Sequence, residues 1–325
     1  MTTTNESTMT IESAYRIDSS EPGCQVYLRN KRRSDLPETH DAARTVLFVH
    51  GATYASTLTF DYEIEGSSWM DQLAQQGFDT WCIDLLGYGC SDRPQAMSEP
   101  AEDHPPICDT RVAADDVSRA IAFIQHQRNI RQLNLIGYSW GTAIAGTCAG
   151  EQPESIRKLV LCGALWVTAG ATSGLVPATL GSYRTVDAQA ASTRWAQGLS
   201  QAEIDSIAPL SRVEHWCTTA INSDPRAGET QPPVLRAPTG VIKDFMHYSA
   251  SAEPWYAPQK ILAPTLIVVG EWDRETTPEQ CQTVFSQLDN VPLKRLSIIG
   301  GGTHSLFLEN HRHELHVVVS DFLKE

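Results

Sequence analysis

Apolar residues fall along this chain in short, unbroken runs separated by stretches at helical pitch. Thr45–Val49, bounded by polar residues, is such a run, and Thr80–Ile83, Leu133–Ile136, Lys158–Cys162 and Pro264–Val269 are others. That is the pattern of strands buried on both faces of a parallel sheet. Leu293–Ile298 predicts a last strand, and Cys24–Asn30 alternates well enough for one near the start. Between the runs, helices are predicted at Ser67–Gln76, with Ser67 as cap and Gly77 as stop, and at Thr110–Arg128, where Val112, Val117, Ala120, Ile121 and Ile124 recur at helical spacing. Thr142–Ala149, Pro278–Leu288 and Ser305–Leu323 predict three more. Strand and helix alternating in this order imply a parallel α/β sheet with right-handed crossovers.

The alternation breaks between Ala164 and Pro258. There the chain offers helical fragments at Thr185–Leu199, Gln201–Ile207 and Ser211–Asn222, proline-rich joints and no convincing strand. The expected organisation is a core at 21–163 and 259–325, a helical cap at 164–258 over the sheet's carboxyl edge, and a flexible polar tail at 1–20.

Composition narrows the function. At 325 residues the chain is long for one core, in keeping with a domain plus an insertion. A formal net charge of −14 argues against nucleic acid and anionic membranes as partners. Eight cysteines without a C-x-x-C pair, of which Cys82, Cys148 and Cys162 lie inside apolar patterns, suggest free thiols and a reducing, cytoplasmic setting. The first residues hold neither a basic cluster nor an apolar run, so no secretory leader is expected.

The candidate chemistry centres on Gly137-Tyr138-Ser139-Trp140-Gly141, set between a predicted strand and a predicted helix. A tight turn there would force Ser139 into a strained conformation with its hydroxyl at the sheet's mouth, and Gly137 and Gly141 would be required because a Cβ would strike the neighbouring strand and helix. A serine needs a base, and the base needs a carboxylate. Asp273 and His304 each stand just past a predicted strand's end, on the edge where ligands bind in open α/β sheets. Glu271 competes with Asp273 as the acid. The Trp140 amide and that of Ala52, after His50-Gly51, are candidates for an oxyanion hole. His50 is expected to hold its loop by hydrogen bonding, and Asp84 and Asp92 to brace the glycine loop at 87–89 through backbone amides. Tyr54, Trp166, His215, Trp216 and Trp255 are candidate pocket residues, although packing within the cap accounts for several of them equally well.

Val49-His50-Gly51-Ala52, Asp84-x-x-Gly87-x-Gly89-x-Ser91, the Ser139 pentapeptide, Gly270-x-x-Asp273 and Gly302-x-His304 together resemble the α/β-hydrolase superfamily in its capped, esterase-like branch. The resemblance covers most of 23–163 and 259–325. It implies an eight-stranded sheet, a Ser139–Asp273–His304 triad, an oxyanion hole at Ala52 and Trp140, and no cofactor or metal. The expected activity is hydrolysis of a small, hydrophobic or aromatic carboxylic ester or lactone through an acyl-enzyme. Carbon–carbon bond hydrolysis and amide or aminopeptidase cleavage would use the same residues. A ligand-binding receptor with a vestigial site is the alternative outside enzymology.

Overall fold

A computed structural model of the chain describes residues 9–37, 41–167, 180–251 and 253–325. Eight strands form one sheet: β1 (Thr10–Asp18), β2 (Gln25–Arg33), β3 (Thr45–Val49), β4 (Asp79–Asp84), β5 (Leu133–Tyr138), β6 (Ile156–Cys162), β9 (Thr265–Gly270) and β10 (Lys294–Ile299). Two further strands, β7 (Tyr183–Asp187) and β8 (Val234–Pro238), make a separate antiparallel ribbon. The order across the large sheet is β1-β2-β4-β3-β5-β6-β9-β10, with β2 antiparallel to both its neighbours and every other pairing parallel. This is the α/β-hydrolase fold, an eight-stranded and mostly parallel sheet with flanking helices.

The unbroken apolar runs are explained by layers on both faces. All of β3, β4 and β9 is buried. The short α1 (Ser56–Thr59) and α2 (Trp69–Gln75) follow β3, and α3 (Thr110–Arg128) and α4 (Trp140–Glu151) bracket β5. On one face Val117, Ile121 and Ile124 of α3 and Ile144 and Cys148 of α4 pack on Leu47, Ile83 and Leu135. On the other, Trp69, Met70 and Leu73 of α2 meet Phe48, Cys82 and Val160 together with the carboxyl-terminal helix.

Local chemistry sets the ends of these elements. Ser68, rather than the predicted Ser67, caps α2, with its hydroxyl accepting from Asp71 N–H and the Asp71 carboxylate answering the Ser68 amide. Asp109 caps α3, whose bounds match the apolar periodicity.

The polar start of the chain is not a tail throughout. Thr10–Asp18 is an edge strand that turns Tyr15 and Ile17 inward, with the Tyr15 ring 5.2 Å from Trp81 and 5.3 Å from Phe123. One buried face suffices for an edge strand, so Glu12, Ala14, Arg16 and Asp18 on the other hid it.

Between β6 and β9 lies the insertion: β7, α5 (Ala188–Trp195), α6 (Gln201–Ile207), α7 (Leu210–Asn222), β8 and α8 (Gly240–Ser251). It is not purely helical as expected. The predicted helix at Thr185–Leu199 starts late because Thr185 and Val186 pair with Arg236 and Leu235, and Asp187 then caps α5 by accepting from Ala190 N–H at 2.7 Å. Ala191, Trp195, Val213, Trp216 and Ala220 form the cap's own core, seated on Leu58, Ile64, Phe307 and Leu308 from the sheet domain. By contrast, α8 docks on the sheet domain itself, where Asp244 accepts from the Thr110 amide at 2.7 Å.

The chain closes with α9 (Pro278–Gln287) and α10 (Arg312–Lys324). The single helix predicted at Ser305–Leu323 is interrupted, because Glu309 turns back to Thr303 and the Asn310 amide donates to Ile207 in the cap. Among the described residues no helix is long and apolar enough to cross a membrane.

Candidate active site

Ser139 sits between β5 and α4 with φ 55° and ψ −123°, backbone angles that a residue with a side chain adopts only under strain. Close packing holds it there. A Cβ at Gly141 would lie 2.3 Å from the Val49 carbonyl oxygen, and one at Gly137 would lie 2.3 Å from that of Gly141. The helix therefore starts hard against β3 and β5, as the sequence predicts for these two glycines.

Two other strand ends deliver the partners. The Ser139 Oγ is 2.9 Å from His304 Nε2, and His304 Nδ1 is 2.8 Å from Asp273 Oδ2. With the imidazole neutral, Nδ1–H donates to the carboxylate and Nε2 accepts the serine proton. Asp273 is fixed in turn: its Oδ1 accepts from the Glu275 and Thr276 amides at 2.9 and 2.8 Å, and its Oδ2 from the Thr276 hydroxyl at 2.9 Å. The rival Glu271 is exposed and accepts from the Gly301 amide at 3.0 Å, on the loop before His304.

The His304 loop is anchored from below. Tyr138 donates its hydroxyl to the His304 carbonyl, and the buried Glu309 accepts from the Thr303 amide at 3.0 Å.

The Gly51 loop runs alongside the serine. A Cβ at Gly51 would stand 2.8 Å from the Ser139 Cβ and 3.3 Å from its Oγ, so the Ala52 segment passes the hydroxyl closely. Trp140 is the first residue of α4, and its N–H is one of the donors a helix start leaves unpaired. His50 holds its loop as expected: Nδ1–H donates to Gly51 O at 2.6 Å and Nε2 accepts from Leu85 N–H at 3.0 Å. Burial pushes its pKa down to about 4, so the ring is a neutral brace. Asp84 binds the Ser56 and Cys90 amides at 3.0 and 2.9 Å, whereas the Asp92 carboxylate accepts from the Gln25 amide of β2 at 2.8 Å and it is the Asp92 carbonyl that meets the glycine loop, accepting from the Gly87 amide at 2.9 Å.

A model of the alpha/beta hydrolase fold family matches residues 44–311. The chain belongs to this family. No curated protein sequence matches it closely enough to count as a relative. Among solved structures of similar fold is a thioesterase domain from the curacin biosynthetic pathway, with 18% identity and a TM-score of 0.60, covering 97% of this chain and 100% of the other. An esterase from Exiguobacterium antarcticum is 18% identical at a TM-score of 0.60, covering 95% of this chain and 99% of the other. A meta-cleavage product hydrolase from Pseudomonas fluorescens is 14% identical at a TM-score of 0.59, covering 95% and 96%. At such identities the likeness is one of fold alone.

This α/β-hydrolase also carries groups beside the relay that sequence reading missed. Glu275 Oε2 lies 3.6 Å from His304 Nε2, and Arg194 of α5 grips Glu275 through Nε and Nη2 at 2.8 and 2.6 Å. Burial alone would lower the His304 pKa, but the charges of Asp273 and Glu275 outweigh it and raise the ring to about 9. Burial would likewise raise Glu275, yet His304 and Arg194 hold it at about 2. The signal in the sequence was the acid two residues beyond Asp273; its partner, Arg194, came from the insertion and could not be paired by inspection.

The pocket candidates divide. Tyr54 stands among the charged groups of the site, in the fields of Arg194, Arg184 and Glu275, with its phenol pKa raised chiefly by burial. Trp216 is committed to the cap's core: its ring is 4.6 Å from Tyr54 and 5.7 Å from Phe307, and Nε1–H donates to Leu58 O. Trp166 lies edge-on to Tyr256 at 6.0 Å. Two expectations need correction. His215 is exposed on the outer side of α7, since the inward positions of that helix are taken by Val213, Trp216 and Cys217. Trp255 stacks on Tyr248 at 5.2 Å and donates to the Thr110 hydroxyl at 2.9 Å, so it fastens α8 to α3 rather than facing the relay.

Proposed function

We propose that this protein is a serine hydrolase that cleaves a carboxylic ester or lactone through an acyl-enzyme on Ser139. The observation that supports this most directly is the unbroken hydrogen-bonded chain Ser139–His304–Asp273, at 2.9 and 2.8 Å. Ser139 Oγ attacks the carbonyl carbon as its proton passes to His304 Nε2. The resulting oxyanion is met by the Ala52 and Trp140 amides. His304 then returns the proton to the departing alkoxide, and the alcohol leaves an acyl group on Ser139. Water, deprotonated by the same nitrogen, attacks that acyl carbon and releases the acid.

Asp273 keeps the imidazole in the tautomer this exchange needs and stabilises its charged form. Carbon–carbon cleavage of a diketone-like substrate would employ the same relay. A panel of chromogenic esters, lactones, amides and a vinylogous diketone, followed for burst release, separates these readings. A burst with ester or lactone supports the proposal, and stoichiometric binding without turnover across the panel overturns it.

A further inference from the structure

The cap strand β7 carries an arginine to the loop that passes Ser139. Arg184 Nη2 donates to the hydroxyl of Thr53, which is buried, has φ 79° and follows Ala52 directly. Two residues of chain span at most about 7 Å, so Thr53 is close to Gly51 and through it to the serine. Arg184 Nε is sealed from solvent and has no acceptor among the described residues.

The charges around this space do not balance. Arg184 and Arg194 face the same region, and Glu275 is the acid they share. Both oxygens of Glu275 are taken by Arg194, and one of them stands 3.6 Å from His304. Elsewhere the structure gives such guanidinium groups their own carboxylate: Arg29 has Asp61, Arg128 has Asp79 and Arg236 has Asp224. Arg93 also keeps open nitrogens, but it bonds the Gly89 carbonyl and draws on Asp224 and Asp84. Arg184 differs in standing over the Thr53 loop with its strongest available acid already engaged. An unpaired guanidinium away from water is costly, and a planar fork of N–H donors fits a carboxylate in two-point contact.

We propose that Arg184 binds a carboxylate carried by the substrate a few bonds from its scissile carbonyl, with Thr53 holding the guanidinium in place. The inference rests on the hydrolase reading of Ser139. It makes the substrate an anionic ester or lactone, in place of the wholly hydrophobic one that the cap's aromatic residues suggest. Those rings are largely spent on packing, as Trp216 and Trp255 illustrate.

The test compares mono-4-nitrophenyl glutarate with its neutral methyl ester, which differs only in the distal carboxylate. In the unmodified enzyme kcat/KM favours the anionic ester by about tenfold or more, as expected for a charge-assisted contact. Arg184→Gln reduces that ratio about tenfold, mainly through KM, and Arg184→Lys restores part of it. No preference in the unmodified enzyme, or a ratio unchanged in the Gln variant, overturns the proposal. Glutarate itself gives a second readout that needs no turnover: it raises the melting temperature of the unmodified protein, dimethyl glutarate does not, and Arg184→Gln abolishes the effect. If neither nitrophenyl ester is hydrolysed, the ester reading fails while the glutarate shift still decides the subsite. Equal shifts with glutarate and its dimethyl ester refute it, even if the Gln variant does not fold.

Discussion

Glu275 places a carboxylate oxygen 3.6 Å from His304 Nε2, the ring nitrogen that also faces Ser139. The imidazole is thus bracketed by acids, Asp273 behind Nδ1 and Glu275 beside Nε2. Arg194 ties the second acid to the cap, so the electrostatics of the relay depend on the cap being seated.

This arrangement predicts an alkaline pH profile. A general base works in its neutral form, and the carboxylates outweigh burial to raise His304 to about 9. Hydrolysis by the free enzyme therefore climbs through the neutral range and levels off only above that value. Glu275→Gln removes one of the charges that hold the proton, so the midpoint of kcat/KM against pH moves down toward the ordinary 6.5. A midpoint that stays where it was would show that Glu275 does not act on the base. Because the folded pKa is raised, this pairing adds stability that is complete below about 6.5 and is lost as pH rises through about 9.

Removing the proposed nucleophile separates chemistry from folding. Ser139→Ala is expected to lower ester hydrolysis by on the order of a thousandfold or more while barely changing the melting temperature. Ser139→Gly should be just as inactive but more stable than the alanine variant by about 1 kcal/mol. Glycine relieves the strain at φ 55°, a gain of roughly 1–3 kcal/mol, at an entropic cost of roughly 0.5–1 kcal/mol. Denaturant unfolding of the two variants measures the difference. A glycine variant that proves the weaker one would mean that the turn stores no strain.

Asp273 and Glu271, the two rivals for the acid, should differ sharply. Asp273→Asn replaces a carboxylate oxygen that meets His304 Nδ1 at 2.8 Å, so turnover is expected to fall by on the order of a thousandfold or more. Glu271→Gln alters an exposed group that accepts from the Gly301 amide, and steady-state rates should stay within about threefold. The reverse pattern would reassign the acid.

Much of this protein can be read in the order of its residues. The buried strands show as apolar runs because a parallel sheet covered on both faces favours apolar side chains at most positions, the few polar ones such as Asn134 and Asp79 being hydrogen-bonded. The glycines around Ser139 declare a close approach of backbone to backbone, and Asp273 and His304 reveal themselves by standing just past strand ends. Where a one-sided or marginal pattern was enough for the fold, the sequence was silent: the edge strand at Thr10–Asp18 and the ribbon of Tyr183–Asp187 with Val234–Pro238 needed partners to become visible.

Tertiary structure alone decided the charge around the relay. Arg184 and Arg194 come from the insertion, Glu275 from the loop after β9 and Thr53 from the loop after β3. Apart from the closeness of Glu275 to Asp273 in sequence, nothing local marks these residues, because an ion pair or an unpaired guanidinium depends on distances between segments that only folding brings together.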